Sequence, residues 1–328
     1  MCFINTKNPS FLPLKTKFKH TLIHTFMDNQ EKFLQLIGSS SEANVALALE
    51  IAKGIPSINL EEVLQGYKVL YRFRFWEAVE QLEAAHIATI NQMDYIDDYS
   101  KKLSPLPAVI GNLKHLRELK LAGNGLTTLP ESIGGLQSLQ ELNLSGSKLT
   151  SLPESIGQLY NLKGFRLNGN QLQTLPMSFG NLKRLEALEL IENQLETIPE
   201  NLGYLHNLQA LFLRNNRLTA LPESLGDLEN LQRLHLANNQ LSMLPDSIKG
   251  LKNLKRLYLA NNQLAALPGT MTYLSNLERL ELMNNQLTSL PALERLPNLR
   301  YLDLRENPLA QDTIEQIRES LPHCEILF

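Results

Sequence analysis

The stretch Leu208–Asn230, LQALFLRNNRLTALPESLGDLEN, decides how this chain folds. Blocks in the same frame begin at residues 116, 139, 162, 185, 231, 254 and 277, all at a 23-residue spacing, and a further block begins at Leu299 after a step of 22. A fixed period in the twenties specifies supersecondary units that cannot bury their apolar face alone and must stack. Stacking hides the leucines between neighbours and leaves the remaining side chains as one long surface. A chain built this way is expected to hold something, not to transform it.

Within the block, Leu211 and Leu213 alternate with Ala210 and Phe212, the period of a short strand with one face buried. Equivalent strands in neighbouring blocks predict a parallel sheet. Asn216 then turns the chain inward, where its amide is expected to serve backbone groups that a tight bend leaves unpaired. Each such group left unmet costs ~1–3 kcal/mol. The same position holds Asn124, Asn170, Asn193, Asn239, Asn262, Asn285 and Asn307, while Ser147 interrupts the series and predicts a weaker rung. Leu218 and Leu221 return to the core. Pro222 lacks a backbone donor, which suits an irregular convex segment better than a long helix. Leu225 and Leu228 close the block around Gly226, a site also held by Gly134, Gly157, Gly180 and Gly203 but by Lys249 and Thr272 later. The residue missing after Pro291 is expected to fall on the convex side.

This pattern resembles the leucine-rich repeat family over roughly residues 93–328, and is most similar to its intracellular 23-residue class with an LPxxIGxLxxL segment, as in Ras-suppressor-like and bacterial cytoplasmic proteins. The resemblance implies an α/β leucine-rich repeat solenoid, a curved horseshoe with a parallel concave sheet and a small α-helical N-terminal cap region. It also implies a concave face that binds a protein partner, a signalling protein such as a small GTPase being one kind.

The flanks divide the chain further. Residues 1–26 carry Lys7, Lys15, Lys17 and Lys19 with no acidic residue and no uniform apolar run, and read as a disordered extension. Residues 27–92 read as a helical N-terminal region that packs on the open edge of the first repeat. Ser39 and Glu42 have capping-box spacing ahead of Val45–Ala52, with Gly54 and Pro56 as the stop. A second segment opens near Asn59, and helical character is expected to continue from Arg72 to Ile87 past Trp76. Residues 93–310 form the array, opening on a degenerate unit in which Met93 and Ile96 keep the pattern while Asp98 replaces a core leucine and Lys101 the asparagine. Residues 311–328 form a C-terminal cap, with a short helix through Ile314, Ile317 and Leu321 and a last strand over Cys324–Phe328.

The net charge of −3 gives no reason to expect nucleic-acid binding, and no apolar run reaches the ~18–20 residues of a membrane span. Cys2 and Cys324 stand at opposite ends of the sequence, so neither a disulfide framework nor metal-ligand spacing is present. A monomeric cytoplasmic protein with no cofactor is the expectation; a secreted or surface-exposed host-recognition protein is the alternative. Motifs for zinc hydrolysis or phosphate binding are missing, and His235 and Tyr258 on an open sheet lack the water-excluding pocket that acid–base chemistry needs.

The residues between strand leucines should line the concave face. Phe212, His235 and Tyr258 occupy one column on three successive strands, and Arg233, Arg256 and Arg279 the column beside it, with Arg214 adding positive character. Glu186, Glu189 and Glu192 form an acidic patch one repeat earlier. Aromatic residues and arginine are enriched at interface hot spots. This surface therefore either binds a protein segment carrying acidic and apolar groups, or is a solvated face whose arginines pair with Glu278, Glu281 and Asp303.

Overall fold

A computed structural model describes residues 29–75, 79–99 and 103–328. The extension over residues 1–26 and the readings of Trp76 and Lys101 fall outside the described residues. The array is a single 11-stranded parallel sheet in which every strand pairs with its sequence neighbours, from β1 (Tyr95–Asp97) to β11 (Glu325–Leu327). The register is fixed by the repeat. Leu211 on β6 (Ala210–Phe212) stands opposite Leu188 on β5 (Ala187–Glu189) and Leu234 on β7 (Arg233–His235). Equal block length puts an equivalent apolar residue, most often leucine, at the same height on every strand, so a slip of one residue would turn each of them out of the core.

All seven apolar positions of the block at Leu208 are buried, and one continuous hydrophobic cluster runs from Phe33 to Leu321. The convex side is made of five-residue 3-10 helices such as Glu223–Asp227, each entered through a proline, here Pro222 at φ −70° and ψ 151°. Proline suits that entry because its fixed φ matches and its missing N–H would have had no partner in the first turn. Beside them, the glutamate that follows the proline reaches the next repeat. Glu131, Glu154, Glu200 and Glu223 accept from the backbone N–H of Ser155, Ser178, Ser224 and Ser247. The bond to Ser178 holds the Glu154 carboxyl below its ordinary pKa. The residue missing after Pro291 does fall on this side. It shortens the last 3-10 helix to Leu293–Arg295 while the strand register Arg279↔Tyr301 is kept.

The turn asparagines act as the sequence suggests. Asn216 Nδ2 donates to Leu190 O and Leu213 O, both at 2.9 Å, and Asn216 Oδ1 accepts from Leu195 N at 3.0 Å. One side chain thus ties together two repeats, and the same three bonds recur at Asn170, Asn193, Asn239, Asn262 and Asn285. Ser147 is the defective rung: it is buried and its Oγ finds no partner. Ser147→Asn is expected to supply bonds equivalent to those of Asn170, with Leu121 O and Leu144 O as acceptors and Leu126 N as donor. Urea unfolding should show a gain of about 1–3 kcal/mol, and no gain would mean that water or a backbone shift already satisfies the turn.

Two further asparagine ladders were not foreseen. The residue before each turn asparagine has a positive φ. It is Gly123, Gly146 and Gly169 in the early repeats, then Glu192, Asn215, Asn238, Asn261, Asn284 and Glu306. Asparagine tolerates that left-handed conformation better than most residues. Here it also links side chain to side chain, with Asn261 Nδ2 donating to Asn238 Oδ1 at 2.6 Å and Asn284 Nδ2 to Asn261 Oδ1 at 2.9 Å. On the approach to the strands, Asn207, Asn230, Asn253 and Asn276 each donate to a backbone carbonyl of the preceding repeat.

The N-terminal helices α1 (Glu42–Ala52), α2 (Leu60–Phe75) and α3 (Ala84–Asn91) follow a helical stretch over residues 29–37. Two expectations need correction. Helical character does not run unbroken from Arg72 to Ile87: residues 79–83 are non-helical before α3 begins. Nor do Ser39 and Glu42 form a capping box. Ser41 is the N-cap of α1 without a side-chain bond, Ser39 Oγ accepts from Ser41 N, and the reciprocal box sits at Glu83 and His86. A buried polar knot joins these helices to the first repeat. Tyr67 Oη lies 3.0 Å from Asn91 Oδ1 and accepts from Asn112 Nδ2 at 2.9 Å, while Asn91 Nδ2 donates to Ile37 O and Ser39 O. Burial pushes the Tyr67 phenol up to about 12. At the other end, α4 (Gln311–Ser320) leads into β11, which pairs with β10 (Tyr301–Asp303).

Candidate partner-binding face

Strands β6 and β7 are followed by β8 (Arg256–Tyr258) and β9 (Arg279–Glu281), and on each the middle leucine is buried while the residues on either side of it face the concave surface. The register places Phe212, His235, Tyr258 and Glu281 in one row across the strands, and Ala210, Arg233, Arg256 and Arg279 in the next. The three rings meet. Phe212 and His235 are edge-on with centroids 6.4 Å apart, and His235 and Tyr258 are tilted at 4.7 Å. The Arg233 guanidinium lies 5.8 Å from the Phe212 centroid, within cation–π range. Burial among these rings, with Arg214 nearby, lowers the His235 pKa below its ordinary value. The imidazole packs between Phe212 and Tyr258 as the middle ring of the row.

The charges separate into committed and uncommitted groups. Arg279 is engaged: it pairs with Glu281 at 2.6 Å and stacks 3.7 Å from the Tyr301 centroid. Asp303 is held by Arg305, not by an arginine of the row. The acidic patch one repeat earlier is satisfied internally, Glu189 by Arg166 and Asn168, Glu186 by Lys163, and Glu192 by Asn215. Arg214, Arg233 and Arg256 are exposed and carry no ion pair among the described residues. Of the pairings that would have made this a self-neutralised face, only Arg279–Glu281 is present.

A third row belongs to the same surface and was missed. The ladder continues past the strand ends through Asn215 N to Ala237 O, Asn238 N to Ala260 O and Asn261 N to Met283 O. Ala237, Ala260 and Met283 are therefore in register with Arg214, on the far side of the aromatic row from Arg233, Arg256 and Arg279. The signal was in the sequence, because alternation with the leucines runs one step beyond Tyr258, to Ala260.

Among the described residues no group of histidine, cysteine, aspartate or glutamate could hold a metal ion, and no helix is long and apolar enough to cross a membrane. Comparison with known proteins agrees with the architecture. The chain is similar to a leucine-rich repeat protein of Leptospira interrogans at 30% identity, over 82% of this chain and 98% of that one, with a TM-score of 0.42. It is similar to the PEPR1–AtPEP1 crystal structure at 33% identity and a TM-score of 0.60, over 71% of this chain but only 34% of that one. The functional domain of InlJ from Listeria monocytogenes shares the fold, at 22% identity and a TM-score of 0.61, over 71% of this chain and 48% of that one. No curated protein matches the sequence. The family model for leucine-rich repeat regions matches residues 95–214 and 196–326. With its repeat period, its parallel sheet and this match all in agreement, the chain belongs to the leucine-rich repeat family.

Proposed function

We propose that this protein is a non-catalytic protein–protein interaction scaffold whose partner docks on the concave face over β6–β9, at Phe212, His235, Tyr258, Arg214, Arg233, Arg256 and Arg279. The observation that supports this most is the imbalance of charge on that face. Three arginines stay without an ion pair beside a contiguous ring row, while Glu281 and the carboxylates of the acidic patch are engaged. Arginine and aromatic side chains in one desolvatable patch are the groups that dominate interface energetics. Arg279 plays a smaller part because Glu281 already neutralises it. We place the protein in the cytoplasm, on the strength of two cysteines too far apart in the sequence to suggest a disulfide framework.

The test is the double variant Phe212→Ala/Tyr258→Ala. Both rings are half-buried surface groups, so the fold should survive, with circular dichroism as the check. Affinity for a partner captured by the wild-type chain is expected to fall by roughly 30-fold or more, since each anchor removed costs about 1–2 kcal/mol or more. Titration calorimetry reads this directly, and an unchanged dissociation constant removes the patch as the site.

A further inference from the structure

Resting on that site, we infer that its occupant is an amphipathic α-helix with an acidic edge, lying across the strands along the aromatic row. The three rows carry this. Arg233, Arg256 and Arg279 flank the rings on one side, and Ala237, Ala260 and Met283 flank them on the other, with Arg214 at the end of that second row. Four residues of strand separate the outer rows, ~13 Å at ~3.3 Å per residue. A helix with its side chains is about 10–12 Å across and spans that width. An extended peptide does not, because its side chains point alternately toward and away from the surface and none reaches sideways to the outer rows.

The spacing along the row agrees. Arg233 and Arg256 stand on neighbouring strands, ~4.8 Å apart along the solenoid. Acidic residues three apart on a helix are separated by ~4.5 Å along its axis, and four apart by ~6 Å. Each free guanidinium can therefore meet one carboxylate per helical turn. On the opposite edge, leucine-sized side chains at the same period fall over Ala260 and against Met283, which are partly exposed, while Ala237 is already covered. Tyr258 and Phe212 then support the middle of the helix. From β6 to β9 is ~14 Å, about ten helical residues.

The experiment is selection of a displayed library of random peptides of about fourteen residues, long enough for nearly four turns, on the full chain. Enriched peptides are then synthesised and measured by fluorescence anisotropy against the wild type, Ala260→Glu and Arg233→Glu/Arg256→Glu. Expected are Asp or Glu at three- and four-residue spacing with apolar residues on the adjoining edge. A proline placed centrally in the peptide, and each of the two protein variants, should weaken binding by about tenfold or more. Enriched peptides that alternate polar and apolar residues and tolerate the proline, yet still need Arg233 and Arg256, overturn the helix and leave the site standing. A library that gives no binder, or only binders indifferent to Arg233→Glu/Arg256→Glu and to Phe212→Ala/Tyr258→Ala, overturns the site itself.

Discussion

Asn239→Ala is expected to lower stability by about 2–4 kcal/mol, at the upper end for a single substitution, because it leaves the buried Leu218 N–H without its partner and takes one of two asparagine donors from each of Leu213 O and Leu236 O. Asn239 Nδ2 donates to Leu213 O at 3.0 Å and to Leu236 O at 2.9 Å, and its Oδ1 accepts from Leu218 N at 3.1 Å. Two of those groups lie in the preceding repeat, so the loss falls on the interface between repeats as much as on the turn. In an array whose stability is a sum of repeats and nearest-neighbour interfaces, one weakened interface lets the halves part company. Hydrogen exchange should therefore quicken around residues 208–260 before the rest, and denaturant unfolding should broaden or split. The adjacent Asn238 supplies the control. Its side chain is half-buried in the outer ladder and its φ is +57°, so Asn238→Gly keeps the backbone and should cost under about 1 kcal/mol. Equal losses at both positions would show that the inner amide has no special hold on the neighbouring repeat.

The pair Asn238–Asn239 also shows what the residues disclosed and what they withheld. Period alone gave the stack, the strand face and the inner ladder, since a polar residue recurring among leucines must be buried and must find partners. It did not give the outer ladder, although the clue was present: one column changes from Gly123, Gly146 and Gly169 to Asn215, Asn238 and Asn261, the residue types that tolerate a left-handed backbone. The approach ladder through Asn230 and Asn253 is equally periodic. For the binding face, register followed from equal block length, so the aromatic and arginine rows could be named. Which arginines are free could not. That depends on rotamers, and Arg279 reaches Glu281 two residues along its own strand while Arg233 and Arg256 have no such neighbour. The N-terminal helices gave the poorest reading. Without a period, the interruption over residues 79–83 left no signal strong enough to compete with continued helical spacing from Arg72 to Ile87.

Gly134→Ala is expected to cost about 3 kcal/mol, at the upper end for an added methyl in a packed site, because the obstacle is backbone. A Cβ there would stand 2.6 Å from Ser155 O and 3.0 Å from Ser155 Cβ of the next repeat, so the two 3-10 helices would have to move apart. Side chains elsewhere can change rotamer to make room; a carbonyl held in the stack cannot. Lys249 occupies the corresponding position five repeats later and is exposed. Lys249→Ala should therefore change stability by no more than about 0.5 kcal/mol, as for ordinary surface sites. A similar loss at both would mean that the convex helices are not packed to contact at Gly134. Because each repeat touches only its neighbours, a wedge at Gly134 strains the stack around Glu131–Gly135 and Glu154–Gln158 while β6–β9 keep their spacing. The variant should melt earlier and still bind any ligand of the arginine and aromatic rows with wild-type affinity. That combination separates the convex side, which sets stability, from the concave side, which sets recognition.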